Sequence, residues 1–140
     1  MALRLSWPVA EVYIVQKFGN RLILHGEDIY AGWGYPGHNG IDFRAAVGTP
    51  ILACDDGEIE ATPDDPGGFG TYIRIRHKWG RSYYAHLSEK HGPGLVKRCE
   101  EIGKSGDTGF SIGPHLHFGV KVTMAIAPGY NGWSDPTLFL

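Results

Sequence analysis

The chain has 140 residues, a net charge of −2 and 42% hydrophobic residues, the size and composition of one globular domain around one core. That balance gives no electrostatic footprint for nucleic acid or an anionic membrane surface, and no run approaches the roughly 18 apolar residues of a membrane-crossing helix. Cys54 and Cys99 are too few for a disulfide scaffold or a thiolate zinc site and read as two reduced thiols.

The opening segment, MALRLSWPVAEVYIVQ, lacks the apolar stretch and small-residue cleavage site of a signal peptide, so none is expected. A short helix is predicted within Pro8–Phe18. Arg21 to Gly37 reads as an aromatic loop holding Tyr30, Trp33 and Tyr35, with Trp33 and Tyr35 as candidate walls for a substrate, weighed against an ordinary surface loop. Strand patterns follow at Ile41–Phe43, Pro50–Ala53, Glu58–Thr62, Thr71–His77, Ser82–Leu87 and His115–Thr123. Asp55-Asp56-Gly57, Pro63 to Gly70, Trp79-Gly80 and Gly103 to Pro114 are the turns between them. Arg74, Arg76, His77 and Lys78 read as a solvated strand edge. Glycine and proline, 21 and 9 residues, are scattered without a period, which excludes a repeat architecture. The prediction is an all-β single domain over residues 1–140, with a closed or sandwiched sheet.

Three histidine-bearing segments carry candidate chemistry. In Gly113-Pro114-His115-Leu116-His117, residues two apart on a strand share a face, so His115 and His117 present two imidazoles side by side. Imidazole is a common zinc ligand and titrates near neutrality, yet two exposed strand histidines would give the same pattern. Gly37-His38-Asn39-Gly40-Ile41-Asp42 adds an imidazole and a carboxylate four residues apart, with Gly40 allowing a bend into a strand. Such a pair plus one ligand from elsewhere completes a zinc site with an open position. In Tyr83-Tyr84-Ala85-His86, alternation puts Tyr84 and His86 on one face, making His86 a candidate base or oxyanion donor. Tyr84 is then a candidate hydrogen-bond donor to substrate, weighed against a packed tyrosine. His77 reads as structural, and His25 and His91 as solvated loop residues. The helical zinc motif H-E-x-x-H, the deaminase H-x-E with P-C-x-x-C, G-x-S-x-G and the phosphate-binding glycine motifs are absent.

The pair His38-x-x-x-Asp42 and His115-x-His117 resembles the lysostaphin-like, LytM-type zinc endopeptidases of peptidoglycan. The similarity runs from Trp7-Pro8-Val9 to Ser134-Asp135-Pro136 and takes in Gly48-Thr49-Pro50-Ile51, Tyr84-Ala85-His86-Leu87 and Gly106-Asp107-Thr108-Gly109. The resemblance implies an antiparallel β fold with a groove over a central sheet. It implies Zn2+ held by His38, Asp42 and His117, with His86 and His115 as unliganded catalytic histidines. The implied partner is a peptidoglycan peptide, with action at the cell wall as a phage lytic component, a secreted enzyme or a catalytic fragment. Cys99 stands where the family often has a turn glycine, which puts local geometry there in question. The alternatives are a non-catalytic wall-binding or scaffold module on the same fold, and a lysine-carrier domain, for which no lysine has the required hairpin setting. Histidine-based zinc chemistry implies activity falling below about pH 6.

Overall fold

Two alternating runs, Ile41-Asp42-Phe43 and His115-Leu116-His117-Phe118, each need one face on a core, because a strand sends successive side chains to opposite sides. The computed structural model describes residues 2–140. Its strands are β1 (Ile14–Gln16), β2 (Ile23–Leu24), β3 (Glu27–Asp28), β4 (Ile41–Arg44), β5 (Pro50–Leu52), β6 (Gly57–Glu60), β7 (Ile73–His77), β8 (Gly80–Ala85), β9 (Leu87–Lys90), β10 (Gly94–Val96), β11 (Glu101–Ser105) and β12 (His115–Val122). A one-turn helix, α1 (Ile29–Gly32), and a 3-10 turn at Pro136–Leu138 complete the elements.

Seven strands form an open antiparallel sheet in the order β1-β4-β12-β8-β7-β6-β10, and β5-β11-β9 form a second, smaller sheet. The predicted antiparallel sheet is present, and it does not close: β1 and β10 remain edges of the large sheet. In the central register Leu116 lies opposite Phe43 and His117 opposite Asp42 on one side of β12, with Phe118 opposite Tyr84 on the other. Ile41, Phe43, Ile73, Ile75, Tyr84, Leu116, Phe118 and Val120 of the large sheet are wholly buried with Ile51, Leu87 and Ile102 of the small one, in a single apolar cluster. The opposite face of β4 and β12, carrying Asp42 and His117, is left for the groove.

Three expectations fail here. Pro8–Phe18 is not helical; Ile14–Gln16 pairs with β4 as an edge strand, and the short helix lies in the aromatic loop, where the Asp28 side chain accepts from Ala31 N at the helix start. The basic run is no strand edge: β7 lies between β6 and β8, Arg74 and Arg76 pair with Glu60 and Glu58, and His77 is buried against Ser82 and the Asp56 carbonyl. Tyr84 is not a groove residue. It is fully buried in the core, accepting from Cys54 N at 3.0 Å and sharing a 2.8 Å hydrogen bond with Ser82 Oγ, because alternation puts it on the same face as Phe118.

Cys54 is buried and Cys99 exposed, and both are free. Cys99, at the turn position where glycine was expected, takes the left-handed conformation, φ 68°, that favours glycine. An L-residue there costs about 1–2 kcal/mol, and glycine returns roughly 0.4–1 kcal/mol of that in unfolded-chain entropy. Cys99→Gly should therefore stabilise the protein by about 0.5–1 kcal/mol, seen as a higher urea midpoint at unchanged slope. A lower midpoint would mean that the exposed thiol contributes contacts worth more than the backbone strain.

Candidate metal centre

His38 and Asp42 reach one point because the chain enters β4 through a fixed corner. His38 N donates to Asn20 O at 2.7 Å and Gly19 N to His38 O at 2.8 Å, tying the corner to the turn after β1. Gly37 has no room for a side chain there, since a β-carbon would collide with the Gly19 backbone. Gly40 is needed for close approach rather than for a bend: a β-carbon on it would sit 2.9 Å from His117 Nε2 and strike the Phe118 carbonyl. The β4–β12 register then places His117 directly beside Asp42.

The three donor atoms converge. His38 Nε2 lies 3.0 Å from His117 Nδ1, and each lies 3.1 Å from Asp42 Oδ1. A tetrahedral zinc with bonds of about 2.0–2.1 Å separates neighbouring donors by about 3.3 Å, so the triangle has nearly the size of one face of that tetrahedron. Among the described residues this is the one group of three such side chains within metal-binding reach. His38 Nδ1 donates to Lys17 O at 3.3 Å, which fixes the tautomer and turns the Nε2 lone pair inward. His117 points Nδ1 inward and leaves Nε2 buried without a partner, a penalty of about 1–3 kcal/mol that a ligand bond through Nδ1 offsets. Burial opposes ionisation of Asp42, but its contacts with His117 and His38 outweigh it and hold the carboxyl well below its usual range. An ionised carboxylate with two inward imidazole lone pairs is a donor set that fits Zn2+.

Above the triangle runs a groove of about 780 Å³. His86 and His115 line it side by side, ring centroids 4.7 Å apart, with His115 Nε2 3.7 Å from Asp42 Oδ2. Each ring gives its Nδ1 proton to a backbone carbonyl, His86 to Thr108 at 2.7 Å and His115 to Gly113 at 2.8 Å. Both Nε2 lone pairs are thereby left free for the groove. Burial first, then the neighbouring His117, pushes His86 down to about 4. His86 lies just past the end of β8 at φ 62°, and this left-handed step breaks the alternation that would otherwise have turned it with Tyr84 toward the core.

The walls are aromatic. Trp33 and Tyr35 both line the groove. Trp33 is 47% exposed and meets Phe110 edge-on across 5.1 Å, while the Tyr35 hydroxyl accepts from Trp133 Nε1 at 3.2 Å. The sequence reading missed Phe69, Phe110 and Trp133. Phe69 lies 5.4 Å from the His117 ring, and Trp133 rests on Gly119, where a β-carbon would come within 2.9 Å of its ring. Tyr30 also lines the groove, but its hydroxyl donates to Gln16 Oε1 at 2.8 Å, and burial with the Asp42 charge raises it far above the ordinary tyrosine value.

Residues 36–128 match the family model described as Peptidase family M23. The chain belongs to peptidase family M23. Relatives of this M23 chain include the peptidoglycan DD-endopeptidase ShyA of Vibrio cholerae, 42% identical over 87 residues covering 58% of this chain and 19% of the relative. A glycyl-glycine endopeptidase of Staphylococcus capitis is 46% identical over 109 residues, 74% of this chain and 29% of the relative. Among solved structures, a zinc-containing peptidase from Vibrio cholerae superposes with a TM-score of 0.75 at 30% identity over 96% of this chain and 39% of that one. The catalytic domain of lysostaphin from Staphylococcus simulans gives 0.72 at 28% identity over 90% of each chain, so this M23 chain has the lysostaphin-like fold. It spans between 18% and 29% of the length of the curated relatives it matches here.

Proposed function

We propose that this chain is the catalytic module of a zinc endopeptidase that hydrolyses peptide bonds in bacterial peptidoglycan, in its cross-links or stem peptides, and acts in the periplasm or outside the cell. The observation that carries the reading is the convergence of His38, Asp42 and His117 beneath a groove flanked by two further histidines, in a chain of family M23. Zinc held by these three residues would keep a position open and would supply polarisation of a scissile carbonyl and a lowered pKa for a bound water.

The chain's own groups supply the rest. His86 and His115, with Nδ1 donated to carbonyls, each offer an unprotonated Nε2 to the groove. One of them takes the proton from the attacking water at Nε2 and passes it to the leaving amine, and the other, after taking up a proton from solvent at its own Nε2, donates to the oxyanion. Tyr30 is not the acid or base, because its proton is held and its hydroxyl is committed to Gln16. Trp33 with Phe110, and Tyr35 with Trp133, form the aromatic walls against which an extended peptide lies.

Purified sacculi with different bridge types, incubated with the zinc-loaded protein and analysed by mass spectrometry, test this. New amine and carboxyl ends should appear at one class of peptide bond. Sacculi left intact by a protein carrying one zinc per chain would refute the reading and favour a wall-binding module.

A further inference from the structure

Thr108 is used three times. Its carbonyl accepts the Nδ1 proton of His86 at 2.7 Å. Its hydroxyl donates to Leu87 O at 2.8 Å and accepts from Thr71 N at 3.1 Å. Leu87 and Thr71 are themselves joined, Leu87 N donating to Thr71 O at 2.8 Å, and His86 N donates to Phe69 O at 2.8 Å. The hydroxyl therefore staples the loop before β12 to the two segments that hold the His86 backbone. No slack surrounds the staple: a β-carbon on Gly70 would lie 2.5 Å from the Thr108 carbonyl carbon and 2.6 Å from Gly109 N.

We infer that Thr108 is a positioning residue: its hydroxyl fixes the carbonyl that keeps the His86 proton on Nδ1 and the basic Nε2 in the groove. A neutral imidazole carries one N–H, and whichever nitrogen meets a carbonyl must be the donor. If that carbonyl moves, the proton is free to shift to Nε2, and His86, in the role of the base, then offers an N–H to the groove where a lone pair is needed. His115 takes its partner from Gly113, further along the same loop, and serves as an internal control. The inference rests on the proposed peptidase reading for its effect on rate, but not for its effect on tautomer.

The test is Thr108→Val, which keeps the branched shape and removes the hydroxyl, set beside Thr108→Ser, which restores it. Long-range nitrogen–proton NMR of the zinc-loaded protein reports the tautomer of each histidine. Wild type and Thr108→Ser should show His86 protonated on Nδ1. Thr108→Val should show a mixture at His86 with His115 unchanged, and kcat on peptide should fall about 10- to 100-fold at unchanged KM, the range for losing a group that orients a functional imidazole. A fall in kcat with the His86 tautomer intact would make Thr108 merely structural and overturn the inference. So would a wild-type His86 carrying its proton on Nε2, a measurement that stands even if Thr108→Val does not fold. A wild type with the expected tautomer but no turnover would count against the peptidase reading alone.

Discussion

Asp42→Ala should empty the zinc site. Asp42 contributes the only charge among the three donors, and its Oδ1 is the atom that both His38 Nε2 and His117 Nδ1 face at 3.1 Å. Removing it leaves two buried imidazoles 3.0 Å apart with nothing to offset a dication. Loss of an outer-shell partner alone costs about 10- to 100-fold in affinity, so loss of a ligand costs more. After metal-free purification and zinc repletion, elemental analysis should find one zinc per wild-type chain and close to none in the variant. Full occupancy in Asp42→Ala would mean that the convergence of these side chains is not a metal site.

His86→Ala and His115→Ala should behave in the opposite way, keeping zinc and losing turnover. Neither ring supplies a donor to the triangle, and removal of a group that transfers protons costs about 10²- to 10⁴-fold in rate. Loss of zinc from either variant would show that a ligand has been mistaken for a proton carrier. The pH profile separates the two. Because burial and His117 push His86 down to about 4, its neutral form persists above that pH and is lost as pH falls through it. If His86 is the base, the acid limb on a soluble peptide lies near pH 4 while zinc is retained, below the fall near pH 6 that an unperturbed histidine implies. A limb well above pH 5 with zinc still bound would give the role to another group. A rate that rises toward pH 4 would make His86 the acid. The limbs belong to the coupled site as a whole, so the single variants carry the assignment.

The legible parts of the sequence were those set by a short period. Alternation at Ile41–Phe43 and across His115–Thr123 gave the two central strands, the second ending one residue earlier at Val122, and the same period brought His115 and His117 to one face. The three-way convergence was not legible from spacing, because it depends on the antiparallel register that sets His117 opposite Asp42 across 75 residues of chain. Tyr84 was misread for the same reason that it was read at all: alternation was carried one residue too far, past the left-handed step at His86. Strands β9, β10 and β11 were missed because they are short and rich in charge or glycine, and their burial comes from packing between sheets. Trp133 and Phe69 carry no periodic signal, since each reaches the groove from a loop.

The backbone at His86 has a consequence for the durability of the protein. A histidine held at φ 62° stores about 1–2 kcal/mol that asparagine or glycine would largely give back. A library screened only for heat resistance should therefore drift toward those two residues at position 86, and, on the proposed peptidase reading, its hardiest members would be the ones without turnover.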